Sequence, residues 1–331
     1  MNSRVIDRRT FLAAGVGTLL LPVASPIEAQ SRDRTRVALV TCPGLIEGNG
    51  QVSSSAAAQA LDHLVMAVTT KHDPAQAWTT LFSSRDVVGI KVNALAGRGL
   101  ATHPETAPAL AERLVKFCRI PPGQIIIWDR TDRELLRSGF VLQKEDHQVR
   151  CFGTDALANG GYEAQPQISG QVGSCFSTIV SRYVTALISL SVLKDHDLSG
   201  VSLGMKNFFG AIHNPNKYHD HQCDPYIADL VNHPYIKEKF RLSIIDGLYA
   251  QYHGGPSLNV SFRVTRRQLI GGLDPVAVDT VGHQIIEQLR QQHKLKSLKD
   301  EGRPPTWLAT AAKLGLGRDD MKLIDVIKID V

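Results

Sequence analysis

Aromatic residues make up only 6% of the 331 positions, and cysteine is rarer still, with five. So few cysteines in a chain of this length exclude a small disulfide-stapled scaffold. No two of Cys42, Cys118, Cys151, Cys175 and Cys223 lie within twenty residues of each other, which excludes ferredoxin-type iron–sulfur spacing. No Walker A sequence, nucleophile elbow or dinucleotide glycine fingerprint is present. There is no internal repeat and no low-complexity segment. No apolar run reaches the ~20 residues that a membrane span needs. Net charge is a mild +5, with no dense Lys/Arg stripe interleaved with aromatics, so nucleic acid is not expected as a partner. What remains is ordinary for a globular protein: 43% hydrophobic and 21% charged residues. At ~150 residues per domain, the length allows one large domain or two.

The first thirty residues read as an address. The chain opens Asp7-Arg8-Arg9-Thr10-Phe11-Leu12, followed by an uncharged stretch from Phe11 to about Ala24, rich in Ala, Gly and Leu. A charged start, a short apolar middle and small residues later form the layout of an export signal. The paired arginines resemble a twin-arginine signal, although Asp7 and Ala13 depart from its usual pattern. Cleavage is expected near Ala29. The expectation is a periplasmic protein, a partner of the twin-arginine export machinery, with no membrane span once mature. That compartment permits disulfides, yet the odd number of cysteines leaves at least one free, metal-bound or intermolecular.

The body reads as a single α/β domain over residues 30–331, with a mostly parallel or mixed sheet and helices on both faces. Strands are predicted at Val37–Cys42, Val87–Asn93, Gln124–Asp129, Ala186–Leu193, Arg241–Asp246, Val260–Val264 and Leu323–Val331. Helices are predicted at Ser53–Thr70, from Thr102 to Cys118, from Pro275 to about His293, and near Thr306–Leu314. Thr102-x-x-Glu105 and Thr131-x-x-Glu134 read as capping boxes. Asp224-Pro225 and Asp274-Pro275 read as N-caps followed by first-turn prolines.

Several predicted strands end in a polar residue: Asn93, Asp129 and Asp246, with Lys194-Asp195-His196 after Leu193. In open α/β sheets, ligands bind outside the carboxyl ends of strands. Turn chemistry alone accounts for Asn and Asp in such places, but not for Lys194 or His196.

The segment Met205–Pro225, MKNFFGAIHNPNKYHDHQCDP, carries three of the twelve histidines. His219, His221 and Cys223 alternate, so an extended backbone would put them on one face. Imidazole and thiolate suit Zn, Cu, Ni or Fe(II). His213 could fold back as a fourth ligand. A solvated polar loop, aromatic packing or a disulfide at Cys223 would explain the same residues. Lys206 and Asn207, just upstream, could hold a carboxylate or phosphate. Lys91 lies inside an apolar strand, so it is buried and paired or else on an edge. Gly97 and Gly99 precede a helix and could cradle an anion.

Six strings, taken together and in order, resemble the domain-of-unknown-function 362 family. They are Val88–Asn93, Leu193–His196, Leu203–Gly210, Ile244–Gly247, Gly254–Pro256 and Gly272–Asp279. Lys-Asn-x-x-Gly and Asp-Pro-Val-Ala-x-Asp are the specific ones. The resemblance covers roughly residues 85–290 and implies one α/β domain. It supplies no reaction. It does draw attention to Lys91, Asn93, Lys194, His196, Lys206, Asn207, Asp246, Asp274 and Asp279. Some family members carry ferredoxin modules, whose cysteines are missing here.

These readings combine into one expectation: a periplasmic enzyme acting on a small polar or anionic metabolite. His213, His219, His221 and Cys223 would hold a transition metal, and Lys194, Lys206 and Asn207 would bind the anion. His196 or Asp246 would move a proton in proton abstraction, elimination or redox chemistry. The alternatives are a non-catalytic metal- or solute-binding protein, and a metal-free enzyme whose lysines bind the ligand.

Overall fold

A computed structural model describes residues 34–331. The twin-arginine-like leader and the cleavage region near Ala29 lie outside the described residues. The strands are β1 (Thr35–Thr41), β2 (Val88–Val92), β3 (Ile125–Asp129), β4 (Arg150–Gly153), β5 (Gln167–Ser169), β6 (Val172–Ser174), β7 (Ala186–His196), β8 (Gly200–Ser202), β9 (Phe240–Gln251), β10 (Arg263–Gly272) and β11 (Ile324–Asp330). The helices are α1 (Ser54–Thr69), α2 (Pro74–Leu81), α3 (Thr106–Cys118), α4 (Asp132–Arg137), α5 (Tyr226–Val231), α6 (Pro234–Lys237), α7 (Pro275–Gln292) and α8 (Trp307–Lys313).

Nine strands form one mixed sheet in the order β11-β1-β10-β9-β7-β2-β3-β4, with β8 added against β7; β5 and β6 form a separate hairpin. The run β9-β7-β2-β3-β4 is parallel, and β10 is antiparallel to both of its neighbours. Thr35–Val331 form one compact unit.

Two core layers follow from strand alternation. Val88, Ile90 and Val92, with Ile188 and Leu190, pack under α1, α2 and α3. Trp128, Leu187 and Leu193 face the other way, against α5, α7 and α8. Each fully buried aliphatic side chain contributes roughly 1.5–3 kcal/mol. Helices thus cover both faces, as the sequence predicts.

Local signals set most helix starts. Thr131 and Asp274 each accept a backbone N–H at the predicted N-caps, and Ser53 does the same at the start of α1. Two of the predicted caps fail. Thr102 caps nothing: its hydroxyl accepts from Asn93 N (2.9 Å) and donates to Leu190 O (2.8 Å), tying the end of β2 to the middle of β7, and α3 begins at Thr106. Asp224 makes no cap bond, and α5 begins after Pro225. The strand expected at Val260–Val264 is a tight turn at Val260–Phe262 followed by β10. The first half of β10 is polar and part-exposed, so no apolar run advertises it. A bulge between Thr265 and Gln268 breaks its period, with Arg267 at φ 53°.

The topology also sets the site. From β2 the chain steps outward through β3 to β4, then returns to place β7 on the opposite side of β2. That reversal opens a crevice at the carboxyl ends of β2 and β7.

Candidate active site

A cleft of about 410 Å³ lies at this switch point, lined by Lys91, Asn93, Asp129, Arg130, Glu134, His196, Asp197, Lys206, Asn207, Phe209 and His219, with Leu95 and Leu198 among its apolar groups. β2 supplies Lys91, which is buried. Its Nζ donates to Asp129 Oδ1 of β3 (2.6 Å), Val92 O (2.8 Å) and Asn207 Oδ1 (3.3 Å). Asn207 in turn donates to Lys91 O (2.9 Å) and Ser189 Oγ (3.2 Å), so it braces β2 against β7. All of its capacity goes to protein groups, which makes it a positioning residue.

The Lys-Asn-x-x-Gly string is a tight turn over Lys206–Ala211 laid across the strand ends. A Cβ at Gly210 would stand 2.7 Å from Lys91 Nζ and 2.8 Å from Asp129 Oδ1, so glycine is required for the turn to cover that ion pair. Asp279, one turn into α7, anchors the segment before Lys206 by accepting from Gly204 N and Met205 N, both at 2.8 Å. Burial pushes its carboxyl up to about 7 despite these bonds. The Asp-Pro-Val-Ala-x-Asp string therefore does two jobs: Asp274 caps the helix and Asp279 holds the lysine-bearing turn.

Two lysines here make no ion pair among the described residues. Lys194 is wholly buried, and its Nζ donates to Asn93 Oδ1 (3.3 Å) and Pro256 O (3.4 Å), directly behind the cleft wall. Burial lowers it to about 8, opposed by Asp129 and Asp195 and assisted by Lys91. Lys206 is 6% exposed, with Nζ 2.9 Å from His219 Nε2 and 3.6 Å from the centroid of the Phe209 ring. Burial first, and then Lys194, lower it to about 8, against pulls from Cys223 and Asp197.

His196 lines the cleft and is buried. Its Nδ1 accepts from Leu198 N (3.1 Å) and Ser199 N (3.4 Å), so the ring proton sits on Nε2. Burial, then Lys206 and His219, drive its pKa down to about 2. The Asp197 carboxylate lies 3.0 Å from the same Nδ1, but it is largely exposed and faces a neutral ring, so the contact is not an ion pair. His196 is thus placed as a hydrogen-bond donor, and the base role expected for it does not fit this tautomer.

Of the five expected catalytic residues, Lys194, His196, Lys206 and Asn207 gather here. Asp246 does not line the cleft. Its buried carboxylate accepts from His103 N (2.9 Å) and Leu248 N (3.2 Å) and pairs with His103 Nδ1 (2.9 Å). The Gly97–Gly99 turn leads into this pairing, so the anion held before α3 is the protein's own.

The expected metal ligands do not assemble. Among the described residues no group of three or more His, Cys, Asp or Glu is disposed to hold a metal. His213 is exposed beside Tyr162 on a separate cavity, and His221 is exposed. Cys223 is buried in the apolar core, where burial raises its thiol pKa. Only His219 reaches the cleft. The physical reason is local: His221, Gln222 and Cys223 all take positive φ, so the backbone coils and the i, i+2, i+4 face never forms. All five cysteines are free thiols.

From the sequence, Asp129 stands out only as a strand end and Glu134 only as part of a capping box, and Arg130 does not stand out. The signal available was the position of Asp129 and Arg130 at the carboxyl end of β3, with Glu134 in the first turn of the helix that follows. Arg130 Nη2 lies 3.2 Å from Glu134 Oε1 on the cleft wall.

A family model described as "Domain of unknown function (DUF362)" matches residues 88–284. The chain belongs to this family. No curated protein and no solved structure matches it. The six DUF362 strings now have structural meanings. Four build the cleft or the layer behind it. The Ile244–Gly247 string holds His103, and Gly272–Asp279 braces the lysine turn. No helix among the described residues is long and apolar enough to cross a membrane.

Proposed function

We propose that this chain is an enzyme acting on a small anionic metabolite by proton transfer in the β2–β7 cleft. One observation carries the proposal: Lys194 and Lys206 are buried beside one cleft with no carboxylate paired to either. A buried cation without a partner costs several kcal/mol, and a bound anion would relieve that cost. Lys206, lowered to about 8 and hydrogen-bonded to His219, is suited to exchange a proton near neutral pH. His196 offers an N–H to charge developing on substrate oxygen. Proton abstraction beside a carbonyl fits this set.

Of the four metal-ligand candidates only His219 lines the cleft, and its two nitrogens are engaged by Pro215 O and Lys206 Nζ. The proposed chemistry therefore uses the chain's own groups. The metal-dependent version predicts stoichiometric metal in protein purified after native export, lost in His219→Ala. The Arg8-Arg9 leader supports a periplasmic site of action, tested by fractionating cells that express wild type and an Arg8→Lys/Arg9→Lys chain.

The anion claim is tested by thermal unfolding with phosphate, sulfate, acetate or malonate. An anion at a hundred times its Kd should add ~2.7 kcal/mol to the wild type, and much less to Lys194→Met. Equal stabilisation of both proteins, or none of either, would refute it. Binding with no turnover of any carboxylate would leave a solute-binding protein.

A further inference from the structure

Lys206 is set up as a nucleophile as well as a cation. His219 Nδ1 lies 3.0 Å from Pro215 O. A carbonyl oxygen only accepts, so Nδ1 carries the ring proton and Nε2 offers its lone pair to Lys206, 2.9 Å away. A proton leaving Lys206 thus has an acceptor already in place. The Phe209 ring, with its centroid 3.6 Å from Nζ, shields the amine from water. His196 stacks on His219 with ring centroids 5.6 Å apart and presents its N–H from the same wall. Arg130, whose Nη2 lies 3.2 Å from Glu134 Oε1, lines the same cleft one-third exposed and has further guanidinium N–H groups to offer a substrate carboxylate.

We propose that Lys206 forms an imine with a small carboxylate that also bears a carbonyl, such as a 2-oxo acid or an aldehyde acid. This rests on the anion-binding reading above and names its substrate class. The Nζ lone pair attacks the carbonyl carbon, a C–N bond forms, and the C=O π pair moves to oxygen. The two amine protons pass in turn through His219 Nε2 to that oxygen. The C–O bond then breaks and one water leaves, giving C=N. His196 donates its Nε2–H to the oxygen while it carries negative charge. The imine, once protonated, withdraws electrons from the neighbouring carbon; with Lys206 held in the C=N bond, His219 Nε2 is the group placed to take the proton in the abstraction proposed above. Burial beside Lys194 supports this, since an amine at about 8 has roughly two orders of magnitude more free base at neutral pH than an ordinary lysine.

The test incubates the full-length chain with glyoxylate or pyruvate and cyanoborohydride, then maps the reduced adducts by mass spectrometry. The expected result is one adduct per chain, on Lys206, forming at least about tenfold faster than on surface lysines. It disappears in Lys206→Arg, which keeps the charge, and slows in His219→Gln. Adducts confined to other lysines, or undiminished capture in Lys206→Arg, overturn the proposal. Mapping the wild-type chain decides the matter even where a variant fails to fold. Malonate, which has no ketone or aldehyde, separates the two claims. If malonate stabilises the protein but neither probe is captured, only the imine fails; if malonate does not stabilise it and capture is absent, the anion site fails with it.

Discussion

Lys194 and Asp195 are adjacent at the end of β7, point to opposite faces, and meet opposite fates. Asp195 joins a closed network. It accepts from Gly255 N (2.6 Å) and Arg303 Nη1 (3.0 Å), and Arg303 and Arg290 both pair with Glu301. Every charge there has its counter-charge, so the network fixes structure and leaves nothing for a ligand. Lys194 has only an amide and a carbonyl, and Lys206 a histidine. A fold keeps such uncompensated cations where something else completes them. The difference between the two faces lies in partners, since both sets of side chains are buried.

Four perturbations would break or sharpen this contrast. Asp195→Ala leaves the Gly255 N–H unpaired and two guanidiniums sharing the single carboxylate of Glu301, and should cost about 3–5 kcal/mol in denaturant unfolding. A loss under 1 kcal/mol would mean the network is not the structural partner supposed here. Gly210→Ala forces a methyl against the Lys91–Asp129 pair and should cost about 2–3 kcal/mol. Anion-dependent stabilisation should fall with it, as read by calorimetry.

Lys194→Met acts in the other direction. It should raise the stability of the ligand-free protein by about 1–2 kcal/mol while weakening anion binding. Its pH signature is specific. Lys194 is lowered to about 8 from 10.5, so across that window the unfolded chain binds more protons. Wild-type stability should therefore gain a contribution as pH rises from about 8 to 10.5, and the variant should lack it.

The smallest effect is expected at His103→Gln, about 1 kcal/mol, because Asp246 keeps two backbone donors. Burial opposes protonation of His103, but Asp246 outweighs it and the folded pKa is raised. Its contribution is fully present below the unfolded value of 6.5 and is lost as pH rises through the raised folded value. Unfolding curves from pH 5 to 8 should show that loss in the wild type and not in the variant.

Much of the fold was legible because it rests on short-range physics. Short apolar runs marked β1, β2, β3 and β7, helical spacing of Ala and Leu marked α1, and the caps at Thr131 and Asp274 marked helix starts. β10 was misplaced because its outer half is polar and bulged. In the site, Lys194 and His196 stood out as residues that turn chemistry does not need, and Lys206 and Asn207 as groups able to hold a carboxylate or phosphate. Asp246 looked equivalent, yet His103 claims it, and nothing in sequence spacing records a partner 143 residues away. The spacing of His219, His221 and Cys223 suggested a shared face, which holds only for an extended backbone. Three positive φ values undo it.

By itself the sequence determined the alternating strands and helices, the caps that start them, and the short strings carrying lysine, asparagine and aspartate at strand ends. Those properties depend on neighbours within a few positions. The tertiary structure alone decided that β7 returns beside β2, that Gly210 lets a turn close over Lys91 and Asp129, and that Lys206 in the cleft and Lys194 behind its wall are buried without a counter-charge. The reason is that strand order and burial are settled by packing between distant segments, and a charge's chemistry is set by what that packing puts beside it.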